Sequence, residues 1–238
     1  AFSSALETAR AVANAEGSTL DDISTATKNL KSAKAALKES GIYVQKVEGL
    51  SNDFIRGVDI SSYVSITESG ATFKDENGNV LNDAEFFQLL KNSGVNYVRV
   101  RIWNNPYTKD GKGYGGGNSD LEKAKKIGKL AADAGMKTLI DFHYSDFWAD
   151  PERQYSPKAW RNYKEEGKYG EGCNDGKYTE KIVEEKETLL YNYTYESLTA
   201  LIDAGVDVGM VQVGNETNNG MAGVGASGDW TDVCELYK

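Results

Sequence analysis

The chain has 238 residues, with 27 Lys plus Arg against 36 Asp plus Glu for a formal charge of −9; apolar residues make up 39% and aromatics 11%. This balance excludes a disordered or fibrous chain, and no apolar run approaches the roughly 18 residues of a membrane-spanning helix. A sequence pI near 4.8 argues against a nucleic-acid backbone as partner, because phosphates need a basic face.

Residues 1–50 read as a helical spacer. Leu6, Ala9 and Ala13, then Leu20, Ile23, Ala26, Leu30, Ala33, Ala36 and Leu37, recur at three- and four-residue steps, which is a helical period. Gly17 and Ser18 break the run, Asp21 and Asp22 load the first turn of a second helix, and Gly41 is placed to stop it. Neither helix can bury its stripe alone, so an incomplete bundle is expected, with a further helix upstream. No charged-then-apolar leader opens the chain; an export signal is expected to have been removed or to lie outside this sequence. Cys173 and Cys234 are too few for a disulfide framework and lack metal-type spacing.

From residue 51 to 238 the texture changes to aromatics, glycines and β-branched runs. Strands are predicted over Phe54–Ser61, Asn96–Trp103, Lys137–Tyr144 and Val208–Glu216. Amphipathic helices precede the last three: Asp83–Asn92 ending at Gly94, Ser119–Ala134 ending at Gly135, and Thr179–Ala204 ending at Gly205. Strand, helix, glycine turn, strand is the pattern of successive parallel βα units, and the long loops after the strands are where such α/β proteins carry their sites. Asp75-Glu76-Asn77-Gly78-Asn79 reads as a hairpin turn rather than a calcium loop, since no closing Glu follows. Gly111, Gly113 and Gly116 match G-x-G-x-x-G, but far from the strand-to-helix junction a dinucleotide site requires. They read as a flexible loop, with Ser119 and Glu122 forming a capping box for the next helix.

Alternation on the second strand puts Arg99, Arg101 and Trp103 on one face, so carboxylate partners are expected nearby. On the third it pairs Asp141 with His143, the one histidine of the chain, followed by Asp146 and Trp148. A lone histidine is most often a satisfied structural group; its place at a strand's C-terminal end favours a functional one. The fourth strand is apolar and then places Asn215 and Glu216 at its tip. A carboxyl there, partly buried, suits general-acid work, and Asn215 suits a bond to a hydroxyl. Trp103, Tyr144, Trp148 and Trp160 suit stacking on sugar faces, so the residues suggest a saccharide site.

Four blocks then carry a resemblance: Phe54-Ile-Arg-Gly-Val-Asp-Ile-Ser, Val98-Arg-Val-Arg-Ile-Trp-Asn-Asn-Pro, Asp141-Phe-His-Tyr-Ser-Asp-Phe-Trp-Ala-Asp-Pro and Val213-Gly-Asn-Glu-Thr. In this order over roughly residues 51–230 they resemble the arabinogalactan endo-β-1,4-galactanases, glycoside hydrolase family 53. The alanine spacing of the first 40 residues resembles the small helical repeats called FIVAR, found between modules of surface-attached bacterial enzymes.

The family resemblance implies an α/β fold, a (β/α)8 TIM barrel of which about the first four βα units are present. It also implies retaining, endo-acting cleavage of β-1,4-galactan or arabinogalactan side chains of pectin by a secreted or cell-surface enzyme. Glu216 then corresponds to the acid/base and Asn215 to the residue holding the sugar 2-hydroxyl. Arg99 corresponds to the residue orienting the nucleophilic carboxylate, and His143 to the subsite floor. Asp141, Asp146, Trp148 and Trp103 are expected to shape the substrate site. No cofactor is required for this chemistry; calcium occurs in some bacterial members through loops expected beyond residue 238. A retaining enzyme needs two carboxylates, and the family's nucleophile, a Glu on the seventh strand, is expected to be absent here. Glu184, Glu185 and Glu187 read as a solvated helix face instead. The chain alone is therefore expected to be inactive. A non-catalytic carbohydrate-binding or wall-attached module, or a related glycosidase acting on xylan or mannan, remains the alternative.

Overall fold

Thr19 and Asp22 begin the second helix by exchanging bonds: the Asp22 N–H donates to Thr19 Oγ1, and the Thr19 N–H donates to Asp22 Oδ2. The computed structural model describes residues 2–39, 47–160, 180–225 and 229–238. It divides into two units, Ala1–Phe54 and Ile55–Lys238. The first unit is a helical hairpin of α1 (Phe2–Asn14) and α2 (Leu20–Glu39), turned through Gly17. The helices meet along Ala9, Val12, Ala13, Ile23, Ala26 and Leu30. Ala26 is buried, but Leu20 is 87% exposed and so does not belong to the expected stripe. Gly41 and Cys173 lie outside the described residues.

The second unit is built on a parallel sheet of β1 (Gly57–Asp59), β2 (Tyr97–Ile102), β3 (Lys137–Phe142) and β4 (Val208–Val213), in that spatial order. Register pairs Asp59 with Arg99, Arg101 with Asp141, and Asp141 with Gln212. Helices α3 (Tyr63–Glu68), α4 (Asp83–Asn92), α5 (Leu121–Asp133) and α6 (Glu180–Asp203) occupy the connections, and α7 (Thr231–Glu235) follows β4. Alternation along the strands sends Val98, Val100, Ile102, Ile140 and Phe142 to the helix side, where they pack with Ala124, Ile127 and Ala131 of α5 and Leu190 and Leu201 of α6. The odd-numbered residues of β2 and β3 face the other way, and that face carries the polar groups.

Local signals account for the helix starts. Asn82 and Glu85 close a capping box on α4, whose bounds match the sequence reading. For α5 the cap is Asp120, accepting from the Lys123 N–H; the expected Ser119–Glu122 box does not form, because the helix starts one residue later. Gly128 lets α5 approach the lead-in to β4 closely: a Cβ there would sit 2.6 Å from Val206 Cγ1. Asp75–Asn79 is indeed a hairpin turn, joining short strands Phe73–Lys74 and Val80–Leu81 with Gly78 at positive φ. All four strands are shorter than predicted, and β1 loses most, with Phe54 and Ile55 left exposed. Among the described residues, no helix is long and apolar enough to cross a membrane.

Candidate active site

The C-terminal ends of the four strands bring Asp59, Arg99, Asp141, His143, Gln212 and Asn215 into one hydrogen-bonded floor. Arg99 is its hub: Nη1 lies 2.8 Å from Asp59 Oδ2, and Nη2 lies 2.6 Å from Asp141 Oδ2 and 3.0 Å from Asn215 Oδ1. The carboxylates expected opposite the two arginines are thus Asp59 and Asp141. Burial pushes the Asp59 carboxyl up, but bonds from Ser61, the Arg99 fork and the nearby Arg101 charge outweigh it and hold Asp59 below its usual range.

His143 is wholly buried with both ring nitrogens engaged. The Ala149 N–H donates to Nδ1 at 3.0 Å, so the ring proton sits on Nε2 and is directed at Asp141 Oδ2, 3.1 Å away. A ring so occupied has no polar atom to offer a sugar. His143 and the fully buried Asp141 therefore hold the floor from below. Asp146 is also buried and accepts from the backbone N–H groups of Asn105 and Lys158, tying two loops together rather than facing a ligand.

The aromatic residues divide by the same alternation. Trp103 is fully buried, packed against Phe147, Trp148 and His143, and supports the site without lining it. Tyr144 stacks on Phe142 on the helix side and bonds Thr194; burial raises its phenol to about 12. Trp160 packs there too, against Tyr193 and Tyr144. Neither is a sugar shelf, which corrects the sequence reading. Of the four rings, Trp148 is the most exposed, with the Arg101 guanidinium 4.3 Å from its ring centre. The glycine loop is not a nucleotide cradle but a lid on these indoles. Arg101 donates to the Gly116 carbonyl, and a Cβ at Gly116 (φ 63°) would meet Trp148 Nε1 at 3.0 Å and Trp103 Cη2 at 3.1 Å.

Glu216 lies beyond β4, not on it. Gly214 and Glu216 both adopt positive φ, and Glu216 heads a short 3-10 turn over Thr217–Asn219. Its side chain is exposed rather than partly buried as expected, and among the described residues its carboxylate makes no hydrogen bond. Asn215 is buried; Arg99 and Gln212 donate to its side-chain oxygen, and its amide donates to the Ala149 carbonyl. Glu184 and Glu185 are exposed on α6 and Glu187 is half-buried there, beside the Val213 side of the sheet. Among the described residues, no three His, Cys, Asp or Glu side chains gather as a metal site. Sequence reasoning missed Asp59, Gln212 and Gln154. A polar Gln212 inside the apolar run 208–213 was the available signal; Gln154, in an irregular loop, gave none.

Known proteins share this arrangement. The sequence profile described as glycosyl hydrolase family 53 matches residues 55–238. The chain is 49% identical over 202 residues to an endo-beta-1,4-galactanase of Bacillus subtilis, covering 85% of this chain and 42% of that protein. It is 41% identical over 169 residues to an arabinogalactan endo-beta-1,4-galactanase of Cellvibrio japonicus, covering 69% and 36%. Among solved structures, a GH53 catalytic domain of Ignisphaera aggregans superposes with a TM-score of 0.70 at 38% identity, covering 82% of this chain and 49% of that one. The chain thus spans less than half the length of each of these relatives. Its four parallel βα units are those of an α/β (β/α)8 TIM barrel, with the polar floor at the C-terminal strand ends where that fold carries its chemistry. On sequence and fold together, the chain belongs to glycosyl hydrolase family 53.

Proposed function

We propose that the protein carrying this chain is an exported, endo-acting galactanase that cuts the β-1,4-galactan side chains of pectin with retention, and that Glu216 is its acid/base. The observation that carries the reading is an exposed carboxylate that makes no hydrogen bond among the described residues, set at the strand mouth beside a floor in which Arg99 pairs Asp59 and Asp141 and holds Asn215. The names of the relatives supply the substrate class.

In this reading Glu216 protonates the departing glycosidic oxygen, then takes a proton from the water that releases the glycosyl intermediate. Arg99 fixes Asn215 beside it, leaving the second amide hydrogen of Asn215 for a sugar hydroxyl. Trp148 gives the sugar ring a flat apolar face. The chemistry needs two carboxylates and no cofactor. Asp59 and Asp141 are bound to Arg99, and Asp146 to two backbone N–H groups, while the family resemblance puts the nucleophile on a seventh strand. We assign that role to a carboxylate outside residues 1–238.

The test is Glu216→Gln in the full-length protein. Turnover of galactan is expected to fall about 10²- to 10⁴-fold, the usual worth of a positioned acid, with galactan binding unchanged. Undiminished turnover would remove Glu216 from the acid role. Equal or better hydrolysis of xylan or mannan by the unaltered protein would reassign the substrate.

A further inference from the structure

Glu216 occupies φ 48°, ψ 49°, a left-handed conformation that disfavours any residue bearing a Cβ unless its surroundings enforce it. The enforcement comes from the loop after β3. Gln154 is 2% exposed, and its side-chain amide nitrogen lies 2.9 Å from the Asn215 carbonyl, 3.1 Å from the Glu216 carbonyl and 3.0 Å from the Asp150 carbonyl. Three carbonyl oxygens around one atom identify it as the donating nitrogen, because the amide oxygen in that place would face three acceptors.

Geometry gives these bonds a specific consequence. The Asn215 carbonyl belongs to the peptide plane entering Glu216, and the Glu216 carbonyl to the plane leaving it. Holding both planes from one nitrogen fixes φ and ψ at Glu216, and with them the direction in which its Cα–Cβ bond departs. Neighbouring bonds brace the same pair of loops: Asn215 Nδ2 donates to the Ala149 carbonyl at 2.7 Å, and Asn219 Nδ2 to the Pro151 carbonyl at 2.8 Å. The Gly223 N–H donates to the Gln154 carbonyl.

We propose that Gln154 is a positioning residue for the acid/base step, aiming the Glu216 carboxyl through its two flanking peptides without touching substrate. The inference rests on the assignment of Glu216 as acid/base. Gln154→Met keeps the length and removes the N–H groups; Gln154→Glu keeps the shape and sets acceptors against the carbonyls.

The experiment uses the full-length protein with two substrates, galactan and 2,4-dinitrophenyl β-galactobioside. The aryl leaving group departs without protonation, so its kcat/KM does not depend on a well-aimed acid. We expect Gln154→Met and Gln154→Glu to lower kcat/KM on galactan about 100-fold, as misplacement of a catalytic group by about 1 Å does, and on the aryl substrate less than about threefold. Partial unfolding lowers both values together, so the ratio between substrates reads positioning alone. An unchanged ratio in the Gln154 variants, with Glu216→Gln showing a changed one, overturns the role of Gln154. An unchanged ratio in Glu216→Gln overturns the acid assignment beneath it.

Discussion

Replacing Arg99 by Leu asks how much of the fold hangs on the charged floor. The side chain loses two ion pairs of unequal weight. Its arm to Asp59 joins two groups each about one-third exposed, which the surface scale values at about 0.5 kcal/mol. Its arm to Asp141 reaches a carboxylate with no exposure, and removing one partner of a buried pair costs about 3–5 kcal/mol. The Nε2–H of His143 still reaches Asp141, so the low end applies, and the total is about 3.5 kcal/mol. Equilibrium urea unfolding at neutral pH, followed by the fluorescence of the tryptophans beside the site, measures it as a lower midpoint at constant slope. Because the cost is a stranded charge rather than a lost contact, adding Asp141→Asn to Arg99→Leu should restore part of the stability. A loss below about 1 kcal/mol for Arg99→Leu, or a double variant weaker than the single one, would refute this account of the floor.

Two further outcomes follow from single contacts. The folded-state value of Asp59 lies below the ordinary 3.8, so its contribution is fully present above that pH and is lost as the pH falls through the lower folded value. Thermal melts between about pH 4 and pH 2 should therefore fall less steeply for Asp59→Asn than for the unaltered protein; equal slopes would contradict the shift. Gly128→Ala gains about 1 kcal/mol of helix propensity but drives a methyl to 2.6 Å from Val206 Cγ1. With overpacking at about 1–3 kcal/mol, urea melts should show a net loss that Val206→Ala abolishes. A gain from Gly128→Ala alone would disprove the close approach.

Much of this architecture was legible in the sequence, because the relevant signals are periodic. Alternation on β2 and β3 put Arg99 with Arg101 and Asp141 with His143, and burying two guanidiniums required the carboxylates that the structure supplies. The same alternation, carried two residues past Phe142, would have placed Tyr144 with Ile140 and Phe142 on the helix side; its aromatic chemistry obscured its parity. Glu216 was read as a strand residue because the apolar run extends to Val213, whereas Gly214 at positive φ ends the strand and swings the carboxylate clear of the floor. The cap of α5 slipped by one residue because Ser119 and Asp120 are both competent caps, and only packing decides between them. Gln154 stayed invisible since a loop has no period, and its partners come from a segment 61 and 62 residues away.

The floor has a further consequence for what the site can attract. Asp59 and Asp141 carry two negative charges, and Arg99 and Arg101 two positive ones, within one bonded cluster. They cancel, so the chain's surplus of nine negative charges resides elsewhere. An uncharged polymer settling over such a floor displaces no counter-ion atmosphere and gains nothing from long-range steering. Its encounter with the protein should therefore be nearly indifferent to ionic strength.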